Sequence, residues 1–213
     1  MNEQLSLLES EDSASIGTLP GADTARTTGL SVRGADFSPC GTYRYCLWRR
    51  IGSGDWVNFL MLNPSTADAL TDDPTVRRCI GYARAWRCGG IWITNLYAYR
   101  ATRPRDLAKA GASAVGPGND AQIARIAALA GLVVCAWGNH AADVDPGRAG
   151  AVLRILEHVG TAPQILGLTA AGQPQHPLFL PKDRPCRTWQ ASERLALLSR
   201  LSNVNTPRRI RHG

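Results

Sequence analysis

Four polar clusters interrupt apolar runs in this chain, and they hold the side chains able to do chemistry: Asn63-Pro64-Ser65-Thr66-Ala67-Asp68, Asn95-Leu96-Tyr97-Ala98-Tyr99-Arg100, Gly138-Asn139-His140 and Gln173-Pro174-Gln175-His176-Pro177-Leu178-Phe179. Pro64 biases Asn63 toward extended backbone and holds its amide at the tip of the preceding run. An amide positions a water or reads a ligand edge, but it is not a general base. Asp68 and Asp73 are the carboxylates near enough in sequence to supply one, with Ser65 and Arg78 as neighbouring ligand contacts. For Asp73 a helix-capping role is an equal alternative, because Asp before Pro74-Thr75 satisfies orphan N–H groups at a helix start. Asn95 offers one acceptor and two donors, which suits a heterocycle's edge. Tyr97 and Tyr99 either stack on bases or pack their loop; Arg100 either holds a phosphate or sits in water. His176, between prolines on a loop, is poor core material and is able to stabilise charge on a leaving group. Leu178 and Phe179 read as wedges for a base stack or as a cover for the core. Asn139 is a further contact at a strand end, whereas His140 reads as a loop or cap residue and His158 as surface.

The elements that must position these groups alternate strand and helix. Tyr43–Ile51 and Asp55–Leu62 flank Gly52-Ser53-Gly54, and this spacing predicts an antiparallel hairpin. A helix is predicted from Asp73-Pro74-Thr75 to about Arg87, stopped by Cys88-Gly89-Gly90. IWITNL, LVVCAW and PQILGL read as buried strands, with helices over 119–129, 148–159 and 192–201 between or after them. Near-continuous apolar strands separated by helices predict a three-layer α/β/α domain, with a central, mostly parallel four-stranded sheet plus the N-terminal hairpin. Ligands of such sheets bind at the carboxyl ends of the strands, where all four clusters fall.

The organisation expected is a disordered leader over 1–35, one domain over 36–204 and a basic tail over 205–213, NTPRRIRHG. At 213 residues the chain is long enough for one well-formed core, and its 44% hydrophobic and 19% charged residues are ordinary for a globular protein. No apolar run suits a bilayer span and the polar, acidic start is no targeting peptide, so a cytoplasmic monomer is expected. The six cysteines match no metal or cluster spacing; Cys79 and Cys135 read as buried hydrophobes, and no metal or cofactor is expected. The net charge is +7; residues 1–35 carry −3, leaving +10 for the rest, nearly all arginine. That balance favours a polyanionic partner, nucleic acid and DNA first.

The order of motifs resembles the uracil-DNA glycosylase superfamily, over roughly residues 55–181. NPSTAD is similar to the NP-containing version of its water-handling loop, and IWITNLYAYRATRP to the strand segment whose Asn reads the base. LVVCAWGNHA looks like a later strand ending in Gly, and HPLFLP like the His-Pro loop that penetrates DNA. NPSTAD, DPT and the paired arginines also resemble an uncharacterised bacterial and phage domain family. The first resemblance implies base flipping and hydrolysis of an N-glycosidic bond, with Asn95 reading, Asn63 orienting water and His176 stabilising the departing base. Two rivals stay open. One is a module that recognises modified or flipped bases without cutting; the other is an enzyme of a free nucleotide or small metabolite.

Overall fold

The computed structural model describes residues 32–204. Residues 1–31 of the leader expected over 1–35, and the tail at 205–213, lie outside the described residues. Among the described residues seven strands form one mixed sheet: β1 (Arg33–Phe37), β2 (Arg44–Arg50), β3 (Trp56–Met61), β4 (Gly90–Asn95), β5 (Leu132–Cys135), β6 (Gln164–Ile165) and β7 (Arg187–Thr188), in the order β1-β2-β4-β3-β5-β6-β7. Six helices accompany them among the described residues: α1 (Pro74–Ala85), α2 (Pro104–Ala110), α3 (Asn119–Leu129), α4 (Ala141–Val144), α5 (Arg148–His158) and α6 (Ala191–Val204). None is long and apolar enough to cross a membrane.

The protein is thus α/β, but its sheet is larger and more mixed than a four-stranded one with a hairpin. Ladders β4·β3, β3·β5 and β5·β6 are parallel, while β1·β2, β2·β4 and β6·β7 are antiparallel. β1 begins at Arg33, inside the expected leader, and pairs with β2.

The hairpin expected across Gly52-Ser53-Gly54 does not form. β4 lies between β2 and β3, antiparallel to the first and parallel to the second. Such an arrangement reverses the chain just as a hairpin does. A connection of a few residues spans the ~10 Å between second-neighbour strands, so the local turn signal cannot tell the two apart. The glycines there serve close approach instead. A Cβ on Gly89 would lie 2.2 Å from the Gly54 carbonyl oxygen, and Gly89 O accepts from Ile51 N and Gly52 N at 2.8 and 2.9 Å.

Every residue of β3 and β4 is buried, as strands covered on both faces must be. Alternation divides their side chains between two cores. Val57, Phe59 and Met61 pack with Val76, Cys79, Tyr82 and Ala83 of α1. Leu60, Val133 and Cys135 pack on the other face with residues of α2 to α6, among them Leu107, Ile123, Val152 and Leu197. The chain leaves β3 through α1 to β4, then returns by α2 and α3 to β5 on the far side of β3. This reversal of winding direction opens a crevice at the carboxyl ends of the strands.

Candidate functional site

A cavity of about 420 Å³ occupies that crevice, on the side covered by α1. Its wall takes Met61, Leu62, Asn63 and Ser65 from the end of β3, Asp73, Thr75 and Val76 from the start of α1, and Ile93 and Asn95 from β4. Trp137 to His140 follow β5, and Gln175, His176, Phe179 and Leu180 come from the loop before β7. Groups separated by more than a hundred residues therefore share one surface.

Asn95 ends β4 and is 1% exposed. Its backbone is clamped: Asn119 Nδ2 donates to the Asn95 and Leu96 carbonyls at 3.1 Å each, and Arg148 Nε donates to Leu96 O at 2.7 Å. Its side chain is the opposite case, with neither Oδ1 nor Nδ2 having a partner among the described residues. An orphaned buried amide costs about 1–3 kcal/mol for each unmade bond, and this one belongs to a residue that lines the cavity.

Asn63 spends both amide hydrogens on backbone, donating to Pro64 O at 2.9 Å and Ala101 O at 2.7 Å. Its Oδ1 is therefore the atom left for a water or ligand, and Pro64 acts through this anchorage rather than on the wall. Asp73 is the N-cap of α1, with Oδ1 accepting from Val76 N at 2.8 Å, and it also borders the cavity. The capping role is the one seen in its hydrogen bonds. His176 Nδ1 accepts from Leu178 N at 3.3 Å, which in the neutral ring leaves the proton on Nε2. Burial pushes its pKa below 6.5, and the carboxylate of Asp73 opposes that shift. A neutral N–H donor results at physiological pH.

Arg44 was not among the residues singled out from sequence, although it is on the wall. It is 3% exposed, its Nη1 donates to Ala67 O at 2.7 Å, and its Nε has no partner among the described residues. Burial lowers its pKa to about 10, with Asp73 the main opposing charge. Simple alternation sets Arg44 on the face opposite Leu47 and Arg49. The β1·β2 register, however, slips at Asp36/Phe37 and leaves Tyr45 without a partner. That bulge re-aims Arg44, so that Arg44 and Arg49 both reach the 67–68 loop, Arg49 Nη2 donating to Asp68 O at 2.7 Å.

Several expected site residues have other work. Asp68 Oδ1 accepts from Leu70 N and Thr71 N at 2.8 and 2.7 Å, which lowers its pKa and ties the loop rather than facing the cavity. Tyr97 is fully buried in the core, its hydroxyl donating to Ala141 O at 2.9 Å. Arg78 donates to Leu180 O and so pins the His176 loop to α1. Arg100 lies 5.1 Å over the Phe37 ring and donates to Gly41 O at 3.2 Å. Leu178 is half-buried and off the wall, while Phe179 is 82% exposed at the rim, 5.5 Å from the His176 ring. Asn139 borders the cavity and its Oδ1 accepts from Thr169 Oγ1 at 2.7 Å. His140 starts α4 with Nδ1 2.7 Å from Asp143 Oδ2, and it too reaches the wall.

Residues 44–178 match the family described as protein of unknown function (DUF1643). The chain belongs to that family. The DUF1643 match contains Arg44, Asn63, Asp73, Asn95, Trp137, Asn139 and His176, and ends just before Phe179 and Leu180. No curated protein and no solved structure matches the chain. Nothing in these comparisons links the DUF1643 chain to the uracil-DNA glycosylase superfamily.

Proposed function

We propose that the cavity receives a base swung out of a nucleic-acid strand, DNA first, and that the chain hydrolyses its N-glycosidic bond. The observation that carries this reading is the Asn95 amide, buried without partners on the wall of a cavity of about 420 Å³. Donor and acceptor side by side match the edge of a heterocycle, and the volume falls in the ~300–1,000 Å³ range of small-molecule sites.

The remaining groups take roles their geometry suits. Asn63 Oδ1 orients a water toward the anomeric carbon and Asp73 accepts the proton it loses. The C–N bond electrons leave with the base, and the His176 Nε2–H stabilises that charge without giving up a full proton. Phe179, exposed at the rim, fills the gap left in the stack. Flipping costs a few kcal/mol and is easiest for mismatched or modified bases, which makes these the first substrates to try.

The test is incubation with a panel of oligonucleotides, each bearing one modified or mismatched base, followed by alkaline cleavage at abasic sites. Release by the wild type and none by Asn63→Ala, with the far-ultraviolet circular dichroism unchanged, is the expected pair of results. Undiminished release by the variant rejects the mechanism. A gel shift with no abasic product from any substrate makes the chain a base-binding module instead.

A further inference from the structure

Two imidazoles border the cavity, and their Nδ1 partners set the neutral rings in opposite tautomers. A backbone N–H only donates, so His176 Nδ1, accepting from Leu178 N at 3.3 Å, has no proton and Nε2 carries it. A carboxylate only accepts, so His140 Nδ1, 2.7 Å from Asp143 Oδ2, carries the proton and leaves a lone pair on Nε2. One cavity thus has a ring nitrogen that donates and another that accepts.

The loops bearing the two rings are stitched together. Trp137 Nε1 donates to Gln173 Oε1 and Gly138 N to Pro174 O, both at 2.8 Å, and Thr169 Oγ1 donates to Asn139 Oδ1 at 2.7 Å. A Cβ on Gly138 would lie 3.7 Å from the His176 Cβ. His140 precedes α4, yet its side chain caps nothing and turns to Asp143 instead. The two side chains are 57% and 60% exposed, and an exposed pair of this kind contributes little to stability. Either residue is therefore replaceable without unfolding the chain.

We propose that His140 is a catalytic residue that shuttles the proton of the reaction, and that Asp143 is the positioning residue holding it in the accepting tautomer. This rests on the base-release reading and supplies a step that the reading leaves open, because there the base departs as an anion while the water's proton stays on Asp73. As the water attacks, its O–H bond breaks, a C–O bond forms and the C–N electrons leave with the base. The proton passes from Asp73 to His140 Nε2. The imidazolium, stabilised by the Asp143 carboxylate, then gives it to the nitrogen that held the sugar. The base leaves neutral, Asp73 and His140 return to their starting forms, and His176 keeps its proton throughout. One nitrogen acts first as base and then as acid, the part a carboxylate-oriented histidine is suited to play.

The experiment follows single-turnover base release from the oligonucleotide panel at saturating enzyme, for the full chain, His140→Gly and Asp143→Asn, with and without free imidazole. In His140→Gly the rate constant falls by at least about a hundredfold, the apparent Kd for the oligonucleotide is unchanged, and imidazole restores much of the rate. In Asp143→Asn the rate constant also falls at unchanged Kd, but imidazole does not help, because the ring is still in place. Wild-type rates in His140→Gly, or a slow variant that imidazole fails to restore, overturn the role of His140 and leave the base-release reading standing. If His140→Gly loses its native circular dichroism, Asp143→Asn decides, and a wild-type rate there overturns the pair. Release from none of the panel by the wild type overturns both readings.

Discussion

Asn95 is the residue on which conflicting demands meet. Burying an amide without partners destabilises the fold by about 1–3 kcal/mol, whereas an apolar side chain of similar size is tolerated. Asn95→Leu is therefore expected to raise stability by about 1 kcal/mol, or ~2–4 °C in Tm for a domain of this size, while abolishing base binding. Thermal unfolding and a titration with free nucleobases, run on the same preparation, check both halves. A variant that is markedly less stable means that the Asn95 amide has a structural partner and is not held for a ligand. Sequence reading located this residue because an asparagine ending an apolar run is conspicuous. It missed Arg44, whose placement depends on a bulge opposite Phe37 that no alternation count contains.

At the scale of the element, α1 links stability to the site through Asp73. The carboxylate caps the helix by accepting from Val76 N and is the main charge opposing burial of Arg44. The two effects separate by substitution. Asp73→Asn keeps a good cap and loses the charge; Asp73→Ala loses both. Denaturant unfolding is expected to rank wild type above Asn and Asn above Ala, with about 1 kcal/mol between the two variants as the cap's share. Base release falls in both alike. An Asn variant with wild-type release shows that Asp73 only caps and that the water-activating base lies elsewhere. Arg78 illustrates the same coupling: chosen as a ligand contact, it instead holds the His176 loop against α1 through Leu180 O. Its position in α1 was legible, but what lay across from it was not.

For the whole molecule, pH and salt report on the interior and the surface respectively. Burial lowers the pKa of His176 in the folded state below the 6.5 of an exposed imidazole. Below 6.5 the unfolded chain takes up a proton that the folded chain refuses. The stabilising contribution is therefore complete above 6.5 and is lost as pH falls through the lower, folded value. Unfolding free energies measured from pH 7.5 down to pH 5 should decline for the wild type, and less steeply for His176→Gln. Parallel profiles would place the histidine in contact with water. The +10 carried beyond residue 35 is nearly all arginine. Binding of single-stranded DNA should weaken steeply with salt, log K against log [salt] sloping by about −0.7 per phosphate neutralised. A flat dependence favours a free nucleotide or small metabolite as the ligand.

By itself, the amino-acid order determined whatever depends on neighbours along the chain. Continuous apolar runs made β3, β4 and β5 buried strands, Asp73-Pro74 opened α1, and polar residues at strand tips fell at the carboxyl ends of the parallel strands. These follow from side-chain period and local capping, which act over a few residues. Tertiary structure alone decided which strands are neighbours, since β4 entering between β2 and β3 depends on packing both faces of β3 rather than on the turn at 52–54. It also decided which polar groups share the cavity. Tyr97, Asp68 and Arg100 carry the right chemistry, yet their hydrogen-bond and ring partners draw them away, while a bulge turns Arg44 inward. Contacts between residues far apart in the chain settle those directions, and no local pattern encodes them.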